Sequence, residues 1–190
     1  MKFIKVKPGE GHYLKRSTVV YENSLGKVKH YEIFGRREVR TEGDLKGYVA
    51  GVMAVIKNDK GEYLVCEEFR CGVNETLTGF PTGMVGFGES IEDAAIREVY
   101  EETGVEVKID SITQPLYINP AMSIEKMVIA YGHVCGNEKT RVSDNANEEI
   151  TSKWINIREE FPEMNKSRMS LASYLILNNI FETSEVQKNG

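Results

Sequence analysis

Residues 83–105 read Gly-Met-Val-Gly-Phe-Gly-Glu-Ser-Ile-Glu-Asp-Ala-Ala-Ile-Arg-Glu-Val-Tyr-Glu-Glu-Thr-Gly-Val. Ser90 to Thr103 is the clearest helix in the sequence, since Ser90 can cap its start and Gly104 suits the left-handed residue that ends a helix. Asp93 follows Ser90 at capping-box spacing, although Glu or Gln is the usual partner. The sequence therefore predicts a capped helix directly after a glycine-rich segment.

The apolar face of this helix also carries acidic residues. At about 100° per residue, one side collects Ile91, Ala94, Ala95 and Val99 together with Glu98 and Glu102, and Glu101 lies just beside it. A buried carboxylate without a partner is costly, and neighbouring carboxylates repel one another. A bound divalent cation relieves both costs, because Mg²⁺ prefers oxygen ligands. The alternative is that the three glutamates simply form a solvated face.

The segment before the helix favours the metal interpretation. Gly83, Gly86 and Gly88 lead into Glu89, so this backbone can bend sharply and approach a ligand closely. A glycine-rich loop, a helix and clustered carboxylates together predict a metal–phosphate site.

Bulk properties exclude several other classes of protein. The chain has 190 residues, is 41% hydrophobic and carries a net charge of -5. This charge argues against a protein that coats nucleic acid, but not against a small anionic substrate held through a metal. Three cysteines without CxxC spacing favour reduced thiols in a cytoplasmic protein. The amino-terminal residues lack the apolar core of a signal peptide, and no apolar stretch is long enough to span a bilayer, so no membrane partner is expected.

Strands dominate the rest of the predicted secondary structure. Alternating apolar patterns and turn residues predict strands at 19–21, 28–34, 49–56, 63–69, 105–109, 125–134 and 150–155. Residues 71–88 are predicted as loop with at most one short strand, and 112–118 as a weak edge strand because of Pro115. A second helix is expected at about 170–181. The pattern indicates an α/β or α+β fold.

Residues 83–105 resemble the Nudix box, G-x5-E-x7-R-E-U-x-E-E-x-G-U with U apolar, at every defined position. The fixed places hold Gly83, Glu89, Arg97, Glu98, Glu101, Glu102 and Gly104, and the apolar places hold Val99 and Val105. The resemblance implies an α/β fold, an α/β/α sandwich on a mixed sheet with an N-terminal β-hairpin extension. It divides the chain into this extension, residues 1–46, and a Nudix hydrolase domain, residues 47–190.

The same resemblance implies the reaction and its cofactor. Members of this family use Mg²⁺, with Mn²⁺ as an alternative, to hydrolyse the diphosphate of a nucleoside diphosphate linked to another group. Glu98 and Glu102 would be the principal metal ligands, with Glu101 sharing the metals and Glu89 supporting the cluster. Arg97 would orient the glutamates.

Outside the box, the chain is similar to the ADP-ribose pyrophosphatase branch, which implies ADP-ribose as substrate and AMP and ribose 5-phosphate as products. By this resemblance Tyr31 would stack on the base, with Glu32 and Arg36 nearby, unless Tyr31 is an ordinary half-buried strand residue. Arg70 would contact the substrate, the Thr82 carbonyl would bind metal and Met84 would line the pocket. Glu149, or else Glu148, would be the catalytic base, and the branch implies a homodimer.

The chain departs from the pattern of this branch at two positions, and two other functions are compatible with the sequence. Gly86 and Gly79 each stand where an acidic residue is common, so metal number or substrate preference can differ from the branch. A Nudix hydrolase for a nucleotide sugar, a dinucleoside polyphosphate or a nucleoside triphosphate is the first alternative. The second is a Nudix module that senses ADP-ribose without cleaving it, which the complete set of box glutamates disfavours.

Overall fold

The computed structural model describes residues 2–9, 12–143 and 149–186. The strands within these ranges are β1 Lys2–Pro8, β2 Lys15–Glu22, β3 Val28–Gly35, β4 Tyr48–Lys57, β5 Tyr63–Arg70, β6 Glu75–Gly79, β7 Thr82–Met84, β8 Val107–Ile112, β9 Leu116–Tyr117, β10 Glu125–Val134 and β11 Ile150–Ile155. The α-helices are α1 Ile91–Thr103, α2 Ile157–Glu160 and α3 Leu171–Val186. Short 3₁₀ turns occupy Gly43–Lys46, Phe161–Glu163 and Lys166–Arg168.

The chain forms two compact units. The first comprises Met1–Gly51 with Gln114–Val128, and the second comprises Val52–Thr113 with Ile129–Gly190. Strands β4 and β10 each contribute residues to both units. The division expected from sequence, at residues 46 and 47, stays a prediction.

The first unit contains an antiparallel sheet in the order β1-β2-β3. Its second turn is built by Asn23, whose side-chain oxygen accepts the backbone N–H groups of Leu25 and Lys27 at 2.9 Å each. The apolar core of this unit contains Val19, Ile33, Val39 and Ile124. β1 was not predicted from the sequence, although its charged and apolar residues alternate as in a half-buried strand.

The second unit contains most of a mixed sheet whose main path is β11-β5-β4-β10-β8. β5 is antiparallel to β4, β6 and β11, and β10 is antiparallel to β8. Residues 52–56 of β4 are all buried, as expected for a strand covered on both faces. α1 contacts β7, β8 and β11, whereas α3 contacts β6 and α2. This confirms the predicted α/β sandwich on a mixed sheet.

The capped helix was predicted correctly from local sequence. Ser90 Oγ accepts the Asp93 backbone N–H at 3.0 Å, and the Ser90 hydroxyl also donates to the Asp93 carboxylate at 2.6 Å. At the other end Gly104 has φ 75°, and its N–H donates to the Tyr100 carbonyl at 2.8 Å. Local hydrogen bonds therefore fix both ends of α1.

Several weaker predictions were wrong. Residues 71–88 contain two strands, β6 and β7, because pairing with β5 and β4 extends a segment whose own strand propensity is low. The weak strand at 112–118 is reduced to Leu116–Tyr117, directly after Pro115. α3 runs five residues beyond its predicted end at 181, and α2 was not predicted. Among the described residues, no helix is both long and apolar enough to cross a membrane.

Replacing Gly104 by alanine is expected to lower the free energy of unfolding by about 1–2 kcal/mol. The added Cβ disfavours the positive φ and would lie 2.9 Å from the Arg141 side chain. Chemical denaturation measures the change. The control is Gly72→Ala, whose Cβ would meet nothing within 4 Å; its effect should stay below about 0.5 kcal/mol. Equal losses in the two variants would contradict the prediction.

Candidate metal centre

The buried face of α1 carries a carboxylate. Ala94, Ala95 and Val99 are completely buried, and Glu102, on the same face, is only 6% exposed. Glu101 lies beside this face with 58% of its side chain exposed. The structure therefore places one box glutamate in the protein interior and another at the surface.

Arg97 connects the glycine-rich loop to the helix. Its guanidinium donates to both oxygens of Glu89, at 2.7 and 2.9 Å, and to the Met84 carbonyl at 2.9 Å. It also donates to Glu98 at 2.9 Å and to Glu101 at 3.0 Å. The planar fork of a guanidinium suits this multiple role, since its donors diverge in fixed directions. Arg97 thus occupies the position of a residue that orients the acidic side chains.

Glu89 is held in its charged form. The Arg97 guanidinium and the Gly86 backbone N–H, which donates at 2.7 Å, lower the pKa of Glu89 to about 2. An alanine Cβ at Gly86 would lie 3.0 Å from a Glu89 oxygen. The absence of an acidic residue at Gly86 therefore leaves room for the Glu89 carboxylate to receive this N–H.

Gly83, in β7, allows the Glu98 carboxylate to lie directly on the strand backbone. A Cβ at Gly83 would lie 1.8 Å from the Glu98 carboxyl carbon, which no real contact permits. The backbone at Gly83 needs no positive φ, so close approach alone explains the glycine. The backbone at Gly83 and the Glu98 carboxylate of α1 are therefore in contact.

Glu102 is a buried acidic group with a raised pKa. Burial, together with the nearby carboxylates of Glu98 and Glu68, raises this pKa to about 8. Hydrogen bonds from the Thr82 backbone and from the Cys66 thiol, 3.7 Å away, offset this only in part. A buried carboxylate beside two others is a group that a cation would stabilise.

Strand β5 supplies the opposite wall of the site. Cys66, Glu68 and Arg70 alternate along it and so share one face. Arg70 contacts Glu68 at 2.6 Å, and Glu68 in turn acts on Glu102. Arg70 was predicted from the sequence as a substrate contact, whereas Glu68 was not predicted as a site residue. The two-residue period of β5 was the available signal that Glu68 faces the cluster.

The two candidate catalytic bases are Glu149 and Glu148. Glu148 lies outside the described residues. Glu149 is exposed and directly precedes β11, and its backbone carbonyl accepts the Phe69 N–H at 3.2 Å. This contact places Glu149 at the same end of β5 as Arg70.

Gly79 is the other glycine at a position where an acidic residue is common, and packing explains it. A Cβ at Gly79 would lie 2.9 Å from the Ser173 hydroxyl at the start of α3. A side chain at this position would require the buried Ser173 hydroxyl to shift. The packing of α3 against Gly79 therefore disfavours the carboxylate that is common at this place.

The carboxylates of this site suit a divalent cation, although their oxygens do not already converge on one position. Among residues 2–9, 12–143 and 149–186, no three His, Cys, Asp or Glu side chains already converge as metal ligands. In this geometry Arg97 engages Glu98 and Glu101. The repulsion between Glu102, Glu98 and Glu68 is the observation that favours a cation, because oxygen donors are what Mg²⁺ prefers. Ligation would require Glu98 to share or exchange its arginine contact.

The first unit holds the remaining candidate residues. Tyr31 is half-buried, donates through its hydroxyl to the Ala121 carbonyl, and lines a cavity of about 390 Å³. Tyr21 and Tyr117 line the same cavity. Glu32 points to the opposite face of β3 and lies 3.9 Å from Arg16.

Arg36 belongs to a different group within this unit. Its backbone N–H donates to Glu125 at 2.7 Å, and its guanidinium lies 3.5 Å from the same carboxylate. Glu125 is 7% exposed and also accepts the Tyr48 hydroxyl at 2.8 Å. Of the three residues selected in this region, the structure thus brings only Tyr31 to the cavity.

The structure is an α/β sandwich in which a helix with clustered glutamates follows a glycine-rich loop. Comparison with known proteins identifies the family. The NUDIX domain model matches residues 47–174, so the chain belongs to the Nudix family. It is similar to an uncharacterized Nudix hydrolase of Schizosaccharomyces pombe, with 29% identity over 54% of this chain and 49% of that protein. It is also similar to an ADP-ribose pyrophosphatase of Saccharomyces cerevisiae, with 30% identity over 55% of this chain and 46% of that protein. The chain spans about half the length of these curated relatives.

Solved structures agree on the fold. A crystal structure of an ADP compounds hydrolase has a TM-score of 0.69 at 22% identity, covering 98% of this chain and 95% of its own. A MutT protein from Methanosarcina mazei Go1 has a TM-score of 0.53 at 23% identity, covering 73% of this chain and 96% of its own. The first similarity extends over nearly the whole chain, including the N-terminal strands.

Replacing Glu102 by glutamine is expected to stabilise the metal-free protein at high pH. The folded-state pKa of about 8 exceeds the ordinary value of 4.5, so the wild-type protein loses stability as pH rises across this window. Glutamine removes the charge, and the variant should exceed wild type by on the order of 3 kcal/mol at pH 8 but hardly at pH 4.5. Urea denaturation with EDTA at both pH values measures this.

The control for this prediction is Glu92→Gln on the exposed first turn of α1. Its stability should follow the wild-type pH dependence. A Glu102→Gln protein that loses as much stability between pH 4.5 and pH 8 as wild type would refute the assignment of Glu102 as the strained carboxylate.

Proposed function

We propose that this protein is a metal-dependent hydrolase that cleaves the diphosphate of a nucleoside diphosphate linked to another group, with ADP-ribose as the first candidate. The observation that carries the proposal is the buried Glu102 beside Glu98 and Glu68, with Arg70 paired to Glu68. The complete Nudix box and the similarity to an ADP-ribose pyrophosphatase support it. An ADP-sugar pyrophosphatase of Mus musculus, 25% identical over 60% of this chain and 52% of that protein, supports the same substrate class.

In this proposal Glu98 and Glu102 hold a divalent cation, Mg²⁺ first and Mn²⁺ as the alternative. Glu101, Glu89 and the Thr82 carbonyl complete or support the set. When bound, the cation neutralises the diphosphate oxygens and makes water a better nucleophile. Arg97 keeps the loop and the helix carboxylates in register through its hydrogen bonds to Glu89, Glu98 and Glu101.

Other residues of this unit bind substrate and move the proton. Arg70, at the end of β5, donates paired hydrogen bonds to the diphosphate or the distal ribose. Glu149, with Glu148 as the alternative, accepts the proton of the attacking water. Met84 ends β7, its side chain is half exposed, and it contacts the bound molecule. Attack at phosphorus then releases AMP and ribose 5-phosphate from ADP-ribose.

The cavity lined by Tyr31 is proposed to hold the adenine base. Three tyrosines line it, and two of them are fixed through their hydroxyls, Tyr31 to the Ala121 carbonyl and Tyr117 to the Lys46 carbonyl at 3.1 Å. Rigid aromatic walls favour a planar ring, since stacking needs parallel surfaces rather than specific hydrogen bonds. Arg36 and Glu32 do not line this cavity, so neither is proposed to contact the base there. The branch resemblance supports a homodimer, and the cysteine usage favours the cytoplasm.

Purified protein incubated with ADP-ribose and Mg²⁺ is expected to release AMP, detected by chromatography, and to release none with EDTA. Glu98→Gln and Glu102→Gln should each lower turnover by about 100-fold or more, because each removes a proposed metal ligand. Glu92→Gln, on the same helix but outside the cluster, is the matched control and should keep wild-type turnover. Metal-dependent release of AMP at normal rates by Glu102→Gln would remove the metal assignment. If the wild-type protein releases no AMP, nucleotide sugars and dinucleoside polyphosphates are the next substrates to test.

Binding of adenosine, which carries no phosphate, tests the aromatic cavity separately. Tyr31→Ala should weaken adenosine affinity by about fivefold or more, as expected for the loss of one stacking surface. Tyr31→Phe keeps the ring and loses only the hydrogen bond to the Ala121 carbonyl, so it should bind within about twofold of wild type. NMR titration with EDTA gives both affinities. Unchanged affinity in Tyr31→Ala would make Tyr31 a structural strand residue.

A further inference from the structure

A second cavity in the larger unit is lined by positive charge. It measures about 500 Å³, and its charged lining consists of Lys57, Lys60 and Arg158. None of the described carboxylates lines it. Because the whole chain carries a net charge of -5, three cations around one cavity are a local reversal of sign.

These cations have no acidic partners among the described residues. Neither lysine ammonium forms an ion pair there, although Lys57 lies 5.9 Å from the Tyr63 ring centre. Glu62, on the same turn, accepts the Asn58 amide at 2.8 Å instead. Asp59 and Glu138 line a neighbouring cavity that Lys60 also lines, but they do not line this one. Because three cations and no described carboxylate line this cavity, an anion inside it would be attracted to them.

The neutral residues of the cavity offer hydrogen bonds in fixed directions. Asn156 accepts the Arg158 backbone N–H through its side-chain oxygen at 3.1 Å, which leaves its NH₂ group available as a donor. The Thr183 and Ser184 hydroxyls donate to carbonyls of α3, at 2.8 and 2.7 Å, and so retain acceptor lone pairs. The Tyr63 hydroxyl has no hydrogen-bond partner among the described residues. Donors and acceptors are both present beside the positive charges.

This cavity is separate from the candidate metal centre. Tyr63 begins β5, whereas Glu68 faces the metal centre five residues later. Five residues of extended chain span about 16 Å. Because five is an odd number, the Tyr63 and Glu68 side chains also point to opposite faces of β5. The sheet therefore separates a ligand in this cavity from a diphosphate bound at Arg70.

We propose that this cavity, which we call the basic cavity, binds a small phosphate ester of the sugar-phosphate type. Lys57, Lys60 and Arg158 would contact the phosphoryl group through charge-assisted hydrogen bonds. The amides of Asn156 and Asn179 and the hydroxyls of α3 would meet the hydroxyl groups of the sugar. The mostly polar lining favours a sugar over an aromatic base, because Tyr63 is the single aromatic residue among those that line it.

The test is a ¹⁵N–¹H NMR titration of the full chain with ribose 5-phosphate in the presence of EDTA, with KCl at equal ionic strength as the blank. Saturable shifts at the amides of Lys57, Lys60, Gly61 and Arg158 are expected. Lys57→Gln/Lys60→Gln should bind about tenfold more weakly or worse. Lys108→Gln/Lys139→Gln removes two exposed charges from the same unit and should bind like wild type.

Several results would overturn the proposal. These are wild-type affinity in Lys57→Gln/Lys60→Gln, equal shifts with KCl, or shifts confined to the Arg70 and Arg97 region. Inorganic phosphate that binds as tightly as ribose 5-phosphate would remove the role given to the amides and hydroxyls. The melting temperature of each variant shows that its fold is intact. Because binding is measured without metal and without turnover, its failure leaves the proposed hydrolysis untouched.

Discussion

The guanidinium of Arg97 is the contact on which the site depends. It joins three carboxylates and one backbone carbonyl, and these come from the loop on one side and the helix on the other. Without it, the acidic side chains would repel one another and the glycine-rich loop would lose its link to α1. The pKa of Glu89, lowered to about 2, reflects how strongly this contact favours the ionised form. A single cation of the protein thus organises an acidic cluster that would otherwise separate.

Glu102 shows the conflict between stability and proposed function. Its place on the buried face of α1 suits an apolar residue, and burial raises its pKa to about 8. A fold selected only for stability would carry an apolar side chain there. Retaining a strained carboxylate beside Glu98 and Glu68 is reasonable when a cation binds, since the cation converts the repulsion into attraction. The metal-free protein is therefore expected to be the less stable form.

Strand β5 connects regions of opposite charge. Near its start lies the basic cavity, with Lys57, Lys60 and Arg158, and near its end lie Glu68 and the metal centre. Strand geometry keeps these regions apart, because a β-strand is extended and hydrogen-bonded on both sides. A site for the reacting diphosphate and a site for a second phosphorylated molecule can therefore coexist in one small unit.

The sequence by itself determined the box helix, the Nudix family and the set of acidic residues, because caps, helical spacing and the box motif are local properties. Ser90 and Gly104 end α1 as predicted, and the β11 strand was predicted at its observed limits. β7 was missed because it pairs with β4, which is distant in the chain. β1 and β6 pair with β2 and β5, their neighbours in the chain, and were missed although that pairing is local. The tertiary structure alone brought Glu68 and Cys66 to Glu102 and gathered Lys57, Lys60 and Arg158. These arrangements depend on strand pairing and helix packing between residues far apart in the chain, and local sequence carries no record of such distances.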